Sequence, residues 1–302
     1  MKKNLMAISS ALARGLDKAE PFIQVLIRVS GWSAIIFVTA IFFFIFREAA
    51  PILGKVNWGE FFFTNNWIPN PAEGNEPKYG ALSMIYGTAA VTVCSLALAV
   101  PCGLGAAIYI SEFAGPRVKE TLKVLIELLA AIPSIVWGFI GLVVLAPILQ
   151  DVTGAPVGVN LLNASLILAL MSLPLIVSIS EDALRAVPDS FREAGLALGA
   201  SRWEIVYRVL FPAAKNGLLA ACMLGVGRAV GETMAVLMAS GNADKIPGSF
   251  ANLGFLLQEV KTLTATIASE MGDTAYGDDH YRMLFVIGLL LLLITVTINV
   301  AS

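Results

Sequence analysis

Charged residues are scarce in this chain of 302 residues, at 14%, while hydrophobic residues make up 57%. An ordinary soluble domain carries roughly 25% charged residues, so this composition argues against a soluble protein. The formal net charge is only −2, and no basic excess points to nucleic acid. We therefore expect no nucleic-acid partner and a membrane as the environment of the chain.

Cysteine and histidine are equally sparse. Cys94, Cys102 and Cys222 lie within apolar runs and form no CxxC pair, which argues against a disulfide framework and against a zinc site. His280 is the single histidine, so neither a multi-histidine metal site nor a conventional Ser-His-Asp triad within the membrane is expected. The GxxxxGK[ST] motif of P-loop nucleotide-binding proteins does not occur either. We expect no cofactor and no enzyme activity in this chain.

The hydrophobic residues form six long runs with few charges. Each run can supply the roughly 20 residues with which a helix crosses the hydrocarbon layer, and none shows the alternation of barrel strands. The sequence thus predicts an all-α, polytopic membrane protein with six transmembrane helices. The runs lie at residues 29–46, 81–111, 128–150, within 152–180, 216–243 and 283–301.

Lysine and arginine are divided unequally between the two sides of this predicted bundle. With the N-terminus in the cytoplasm, thirteen of the 20 lie in cytoplasmic segments, Lys2, Lys3, Arg14 and Lys18 among them, and six on the outer side. Positive residues favour the cytoplasmic side, so both termini are predicted to be cytoplasmic. We divide the chain into a cytoplasmic segment (1–28), the first transmembrane helix with an outer loop (29–80), and a five-helix core (81–302).

The loops differ in character. The outer loop at residues 47–80 carries an aromatic cluster typical of an interfacial belt or a short surface helix: Trp58, Phe61, Phe62, Phe63 and Trp67. A second outer loop, residues 244–280, is more polar and acidic. On the cytoplasmic side, Ser111 and Glu112 fit a solvated turn.

The loop at residues 188–212, between the fourth and fifth runs, predicts two short helices joined at a corner. Gly199 suits a helix C-terminus, where φ is often positive, and Pro212 limits the second helix or begins the next span. Two serine–glutamate pairs have the spacing of a capping box: Ser190 with Glu193, and Ser201 with Glu204. On physical grounds alone, an ordinary amphipathic connector remains an alternative.

The same loop resembles the EAA loop of ABC importer permeases: Glu-Ala-Ala, three residues, Gly, nine residues, Ile-x-Leu-Pro. Here the spacing from glutamate to glycine to proline is intact, with Gly in place of the second Ala and Val and Phe in place of Ile and Leu. The resemblance covers the core from the second to the sixth span and implies the type I importer permease (MetI-like) fold. It also implies that Glu193, Ala194 and Gly199 belong to a coupling helix that docks on an ATPase subunit.

Two charges interrupt the fifth run, Arg228 and Glu232, one helical turn apart. An ionisable residue near mid-membrane costs at least about 2.5–3.5 kcal/mol, so both are expected to face the bundle or a water-filled path. The planar fork of arginine suits phosphate, and Gly225, Gly227 and Gly231 allow close approach of a helix or a substrate. The alternative is a purely structural ion pair.

Residues 227–233 resemble the Gly-Arg-Ala-x-Gly-Glu-Thr signature of phosphate importer permeases, and the following Met-Ala-Val-Leu favours the C-type subunit over its A-type paralogue. Residues 262–271 and His280-Tyr281 resemble the same family. The resemblance implies a phosphate path at Arg228, Glu232 and Thr233. From the opposite charges four residues apart in an apolar span, we predict that Arg228 guides the anion and that Glu232 holds the guanidinium.

The resemblance further implies an assembly in the bacterial inner membrane with a homologous A-type permease, two ATPase subunits and an extracytoplasmic phosphate-binding protein. ATP and Mg would then lie on the ATPase subunits, with phosphate and membrane lipid as the remaining partners. A permease for sulfate or molybdate stays open, since arginine serves any tetrahedral oxyanion. An ion-coupled phosphate symporter and a non-transporting membrane scaffold also stay open as hypotheses.

Overall fold

The computed structural model describes residues 2–72, 74–246 and 253–301, with no account of the side chains of residues 2–19, 22, 253 and 301. The side chains of Lys2, Lys3, Arg14 and Lys18, which entered the predicted orientation, lie outside this description. Two compact units are present, Met1–Pro51 and Ile52–Ser302. The division at residues 28 and 80 follows membrane topology rather than compactness, and it stays a prediction.

In the described part of the chain, six helical segments are long and apolar enough to cross a membrane, which confirms the predicted all-α fold with six membrane helices. We call them spans one to six in chain order: Ile23–Leu53, Leu82–Phe113, Ser134–Thr153, Leu161–Arg185, Arg202–Gly231 and Asp279–Val300.

The described α-helices are α1 (Lys2–Leu53), α2 (Trp58–Phe63), α3 (Leu82–Ile108), α4 (Pro116–Ala131), α5 (Ser134–Ile140), α6 (Ala146–Thr153), α7 (Leu161–Arg185), α8 (Asp189–Ala197), α9 (Arg202–Ile205), α10 (Phe211–Gly231), α11 (Met234–Ala239), α12 (Leu263–Glu270) and α13 (Asp279–Ala301). Among the described residues, three π-helical turns belong to spans two, three and five: Tyr109–Phe113, Gly141–Leu145 and Val206–Leu210. A 3-10 helix covers Leu253–Leu257, and strand β1 (Trp67–Ile68) pairs antiparallel with β2 (Lys78–Tyr79). The aromatic cluster thus forms helix α2 followed by a strand.

Span four is the centre of the second unit, and its most apolar window is 61% buried, the largest share among the six spans. Spans two and five both pack closely on it. A Cβ atom added at Gly103 of span two would lie 2.8 Å from Ile176 of span four, and one at Gly225 of span five would lie 3.0 Å from the same side chain. These glycines therefore let both helices approach span four at one level.

Loops of the second unit meet on two faces. Residues 109–133 and 181–210 are joined by ion pairs from Arg192 to Glu112 and from Lys119 to Glu181, and we call their side the EAA-loop face. On the opposite face, Trp67 donates to Glu270. These contacts bring loops that are distant in the chain together, as expected for alternating spans.

Span three begins at Ser134, later than the predicted residue 128, while span four begins within its predicted range of 152–180 and extends past it to Arg185. Local signals determine where each of the two spans begins. Helix α4 ends at Ala131, and the next helix begins after Pro133. Proline lacks an N–H and forces the preceding Ile132 into an extended conformation (ψ 123°), which separates the two helices. Gly154, at φ 67°, ends span three. Asn160 then caps span four by accepting the N–H of Asn163 at 3.0 Å.

Span five also differs from its predicted limits of 216–243. It begins at Arg202, because helix α9 continues through the π-turn Val206–Leu210 into α10 rather than standing as a separate short helix. Pro212 falls in the first turn of α10, where the missing N–H of proline is tolerated. The span ends at Gly231, and α11 follows after a break.

Candidate functional site

The break at the end of span five contains the predicted charged pair. Arg228 lies in the last turn of α10, whereas the backbone of Glu232 is extended (φ −71°, ψ 129°). The prediction that both residues share one helical face is therefore wrong. Glycine at position 231 weakens the helix at this point, and the carboxylate of Glu232 supplies an alternative set of hydrogen bonds.

The Glu232 carboxylate caps the short helix α11 rather than binding Arg228. Its Oε1 accepts the backbone N–H of Thr233 at 3.1 Å and that of Ala235 at 3.3 Å. The Thr233 hydroxyl donates to the Gly231 carbonyl at 3.3 Å. A negative side chain at a helix N-terminus satisfies free N–H groups, so Glu232 stabilises the interruption itself.

Residues 262–266 hold the break from the other side. The hydroxyl of Thr264 donates to the Glu232 carbonyl at 2.9 Å, and the N–H of Leu263 donates to the hydroxyl of Thr88 in span two at 3.0 Å. A Cβ atom at Gly87 would lie 2.0 Å from the Lys261 carbonyl oxygen, so only glycine allows this approach. Within the predicted outer loop at residues 244–280, Leu263–Glu270 thus forms helix α12, whose first four residues are buried and whose N-terminus is bound to span two.

The break lies deep in the second unit. Gly225 packs against Ile176 of span four, and Ala235 joins the cluster of Ile167 and Met171 from the same span. Residues 228–232 therefore lie between these levels, near the middle of Leu161–Arg185. This depth agrees with the predicted intramembrane position of the charges.

Arg228 is exposed within this single chain. Within residues 2–72, 74–246 and 253–301, no hydrogen bond or ion pair holds its guanidinium, and Gly227 and Gly231 have open space where a Cβ atom would lie. All its donors are thus available to a ligand or a partner chain. Gly225 fulfils the predicted close approach of a helix, while Gly227 and Gly231 leave the space free.

Gly199 forms the predicted corner of the EAA loop. Its φ is +79°, its N–H donates to the Leu196 carbonyl at 2.9 Å, and the Ala200 N–H donates to the Gly195 carbonyl at 3.1 Å. This pair of bonds is a Schellman motif, which requires a left-handed residue at its centre. The second capping box, Ser201 with Glu204, is present.

The predicted capping box of Ser190 with Glu193 is wrong, and Gly195, which departs from the EAA pattern, has a structural reason. Pro188 occupies the N-cap of α8, so Ser190 lies inside the helix and cannot cap it. Gly195, which stands where the pattern has alanine, is buried, and a Cβ atom there would lie 2.8 Å from Ile205 Cγ1. Glycine therefore allows α8 to pack closely on α9.

The outer surface of the EAA loop is open to a partner. Glu193, Ala194 and Gly199 are all exposed. The same surface exposes large apolar side chains, which are unusual on a solvated loop: Phe191, Leu196, Leu198 and Trp203.

Glu112 and Arg192 form an ion pair that the sequence did not predict. Arg192 Nη2 lies 2.9 Å from Glu112 Oε1, and Nε lies 3.1 Å from Oε2. The solvated turn predicted at Ser111 and Glu112 is wrong, because the Glu112 side chain is only 12% exposed. The hydrogen bonds with Glu112 raise the pKa of Arg192 further above its ordinary value. The only sign of this ion pair in the sequence was the position of Arg192 directly before Glu193, the glutamate of the EAA pattern.

A second unpredicted cluster joins the loops of the opposite face. Lys261 Nζ lies 2.7 Å from Glu270 Oε1, while Trp67 Nε1 donates to Glu270 Oε2 at 2.8 Å and His280 Nε2 lies 2.9 Å from that atom. Burial alone would raise the pKa of Glu270, but the bonds from Lys261 and Trp67 outweigh it and lower the pKa. Burial does raise the pKa of Asp244, 3.7 Å from Lys261. The described residues contain no group of three or more metal-binding side chains.

Sequence comparison relates the chain to transport proteins. The model of a family described as binding-protein-dependent transport system inner membrane component matches residues 99–301. The chain is 42% identical over 237 residues to a probable ABC transporter permease, YqgH, of Bacillus subtilis, covering 78% of this chain and 74% of that one. It is 38% identical over 237 residues to the phosphate transport system permease protein PstC of Mesorhizobium japonicum, covering 72% and 70%.

A solved structure shares the fold. It shows inward-facing conformations of the MetNI methionine ABC transporter, with a TM-score of 0.53 and 22% sequence identity, covering 74% of this chain and 90% of that chain. At this identity the likeness concerns the fold alone, and it confirms the predicted MetI-like permease architecture.

Proposed function

We propose a function from the premise that this chain belongs to the family of binding-protein-dependent transport system inner membrane components: it is the permease subunit of an ATP-driven phosphate importer. As a multi-pass membrane protein of this family, it works with a partner permease and with ATPase subunits. The observation that carries the proposal is the 38% identity to a phosphate transport permease over 72% of the chain. A sulfate or molybdate permease and a symporter have no comparable support.

The proposed phosphate path passes the break in span five. Arg228 offers five N–H donors at mid-depth, and none of them is used within the described residues. Glu232 shapes the break by capping α11 and places a negative charge four residues away. A conduction site must attract its ion and also release it, so this carboxylate would keep Arg228 from binding phosphate too tightly. Thr233 adds a hydroxyl at the same level.

The proposed coupling surface is the EAA loop. Its exposed apolar side chains and the fixed corner at Gly199 suit a preformed helix that docks into a groove of an ATPase subunit. ATP and Mg bind on the two ATPase subunits, and their closure moves α8 together with Glu193 and Ala194. The path between the permeases then opens to the outer side and phosphate enters from its binding protein.

The assembly we propose places this chain in the bacterial inner membrane beside a homologous A-type permease. The EAA-loop face and both termini are cytoplasmic, following the lysine and arginine distribution. The opposite face receives the extracytoplasmic phosphate-binding protein. Membrane lipid covers the exposed apolar surface that no subunit occupies.

The test is uptake by proteoliposomes that hold the whole complex, with ATP inside and labelled phosphate with its binding protein outside. We expect uptake that requires ATP and that excess sulfate or molybdate does not compete away. Phosphate uptake driven by an ion gradient without ATP would favour the symporter. Uptake of sulfate or molybdate in preference to phosphate would assign a different oxyanion.

A further inference from the structure

Arg192 uses every donor of its guanidinium within this chain. Two N–H groups bind the Glu112 carboxylate, as described above. The remaining three donate to the carbonyls of Leu184 (2.9 Å) and Val187 (2.8 Å) and to Asp189 Oδ1 (3.1 Å). Arginine has five N–H donors in a fixed plane, so the side chain has no freedom left to rotate. Its orientation is determined by three parts of the structure at once.

These partners belong to elements with different roles. Glu112 lies in the π-turn Tyr109–Phe113 that ends span two. Leu184 and Val187 lie at the end of span four and in the turn after it, and Asp189 begins α8. Among the described residues, the two bonds to Glu112 are the hydrogen-bonded link between α8 and span two.

The link is shielded from water and charged at both ends. The side chains of Arg192 and Glu112 are 20% and 12% exposed, so solvent competes weakly for their hydrogen bonds. Paired, charge-assisted bonds between a guanidinium and a carboxylate are short, strong and fixed in direction. If α8 moved without span two, both bonds would break and leave a largely buried carboxylate unpaired, which is costly. Movement of both elements together preserves the link.

Span two continues this connection to the break beside Arg228. Its Thr88 hydroxyl accepts the N–H of Leu263, and the neighbouring Thr264 donates to the Glu232 carbonyl. A contiguous series of hydrogen bonds and one helix thus runs from α8 to the proposed phosphate path. Contiguity alone does not establish energetic coupling. Coupling is established by measuring phosphate uptake per ATP hydrolysed.

We infer that Arg192 and Glu112 are positioning residues that transmit movement of α8 to span two, so that ATP hydrolysis drives the phosphate path. This inference rests on the proposed function, in which α8 docks on an ATPase subunit. It assigns the pair a role in coupling rather than in binding phosphate or nucleotide.

The test uses the whole complex in proteoliposomes and measures phosphate uptake and ATP hydrolysis in the same preparation. Glu112→Gln keeps the size of the side chain and removes the charge. We expect hydrolysis to continue while uptake per ATP falls about tenfold, within the range typical of coupling between sites. Glu120→Gln is the matched control, since Glu120 is exposed on α4 of the same face, and it should keep the wild-type ratio.

Arg192→Lys is the second variant, in case Glu112→Gln does not assemble. Lysine keeps a positive charge beside Glu112 but cannot form the paired bonds, so assembly should persist and uptake per ATP should fall severalfold. Assembled variants with the wild-type ratio would overturn the inference. A proportional fall of uptake and hydrolysis would also overturn it, since that result indicates a purely structural role.

Gly199→Val in the same assay separates this inference from the proposed function. If Gly199→Val loses uptake while Glu112→Gln and Arg192→Lys keep the wild-type ratio, the EAA loop couples but the ion pair does not transmit. If the wild-type complex shows no ATP-dependent phosphate uptake, the proposed function itself fails.

Discussion

At the scale of the residue, Arg228 combines two properties that rarely occur together. It lies near the middle of the bundle, and no side chain within the described residues pairs with it. A charge in the hydrocarbon region is costly, so this guanidinium must face water, a ligand or a partner subunit in the assembled protein. The Glu232 carboxylate accepts hydrogen bonds from two backbone N–H groups and caps α11. Substitution of Glu232 should therefore affect the local structure, whereas substitution of Arg228 should affect transport.

Replacing Arg228 should abolish transport while the fold persists. Arg228→Gln leaves no buried partner unpaired among the described residues, so we expect assembly at the wild-type level and loss of ATP-dependent phosphate uptake by at least about tenfold. Arg228→Lys keeps the charge without the planar fork, and we expect partial uptake. Lys215→Gln, an exposed charge on the same helix, is the control and should transport normally.

Normal phosphate uptake by an assembled Arg228→Gln complex would contradict the path. Loss of assembly in that variant would instead indicate that Arg228 pairs with the partner permease.

At the scale of the element, the corner of the EAA loop depends on backbone conformation more than on side-chain contacts. Gly199 is exposed, a Cβ atom added there would have no neighbouring atom within 4 Å, and its φ is still +79°. A residue other than glycine in the left-handed region costs roughly 1–2 kcal/mol, with asparagine tolerated best. Position 199 therefore requires a residue that adopts a positive φ, and it places no limit on the size of the side chain.

Substitutions at Gly199 should rank by their tolerance of a positive φ. Gly199→Val places a β-branched side chain in the left-handed region, and we expect it to loosen the corner and reduce uptake per ATP hydrolysed severalfold. Gly199→Asn introduces a side chain of similar bulk that accepts this conformation, and most of the uptake should remain. If valine and asparagine gave the same activity, conformation would not be the basis of the role of Gly199.

Local signals made many of these elements predictable from the sequence. Apolar runs determine the number of spans, since only helices satisfy the backbone in lipid, and Gly199 and the Ser201 capping box act within one turn. The limits of spans three to five were less accessible. In an apolar run, proline or glycine can continue, break or end a helix. Pro212 lies in a continuous span, Pro133 separates two helices and Gly154 ends span three. The packing around each residue decides which of these outcomes occurs.

The charged contacts were the least predictable part. Glu112 and Arg192 are 80 residues apart in sequence, so no local periodicity relates them. Glu232 has the right spacing to pair with Arg228 on an ideal helix, but the helix ends at Gly231, so Glu232 lies outside it. The ion pair depends on tertiary structure, which a single sequence does not encode in a readable pattern. The break combines local capping by Glu232 with the tertiary contact from Thr264.

At the scale of the whole molecule, the orientation in the membrane can be tested by labelling. The three native cysteines are first replaced, and single cysteines are then introduced at Glu120 on the EAA-loop face and at the highly exposed Tyr276 on the opposite face. We expect an impermeant thiol reagent to label Tyr276→Cys in intact cells and Glu120→Cys only in inside-out vesicles. The reverse pattern would contradict cytoplasmic termini.

The cluster around Glu270 should make stability depend on pH. The folded pKa of Glu270 lies below its ordinary value, so its contribution is present above the unfolded pKa of about 4.3 and is lost as the pH falls through the folded pKa. We expect the thermal midpoint of the purified protein to decrease as the pH falls below about 4.3, and to decrease less in Glu270→Gln. At pH 7 that variant should be destabilised by about 3 kcal/mol, since Lys261 loses its nearest partner.

Glu259→Gln is the control for this measurement, because Glu259 pairs with a lysine that is 64% exposed and such pairs contribute little. Asp244 acts in the opposite direction, since its raised pKa favours the protonated folded state. An identical pH profile in the wild type and in Glu270→Gln would show that Glu270 is not the titrating group.

The π-turns have a consequence for scanning mutagenesis of this chain. Each one closes hydrogen bonds from residue i to i+5 instead of i+4, so it holds one more residue than an α-turn, and a residue advances an α-helix by about 100°. In span five, a helical wheel fitted to residues after Val206–Leu210 therefore assigns the wrong face to residues before it. Solvent-accessible positions along spans three and five, where the π-turn lies inside the span, should show a periodicity that changes phase at the π-turn, as though one residue had been inserted there.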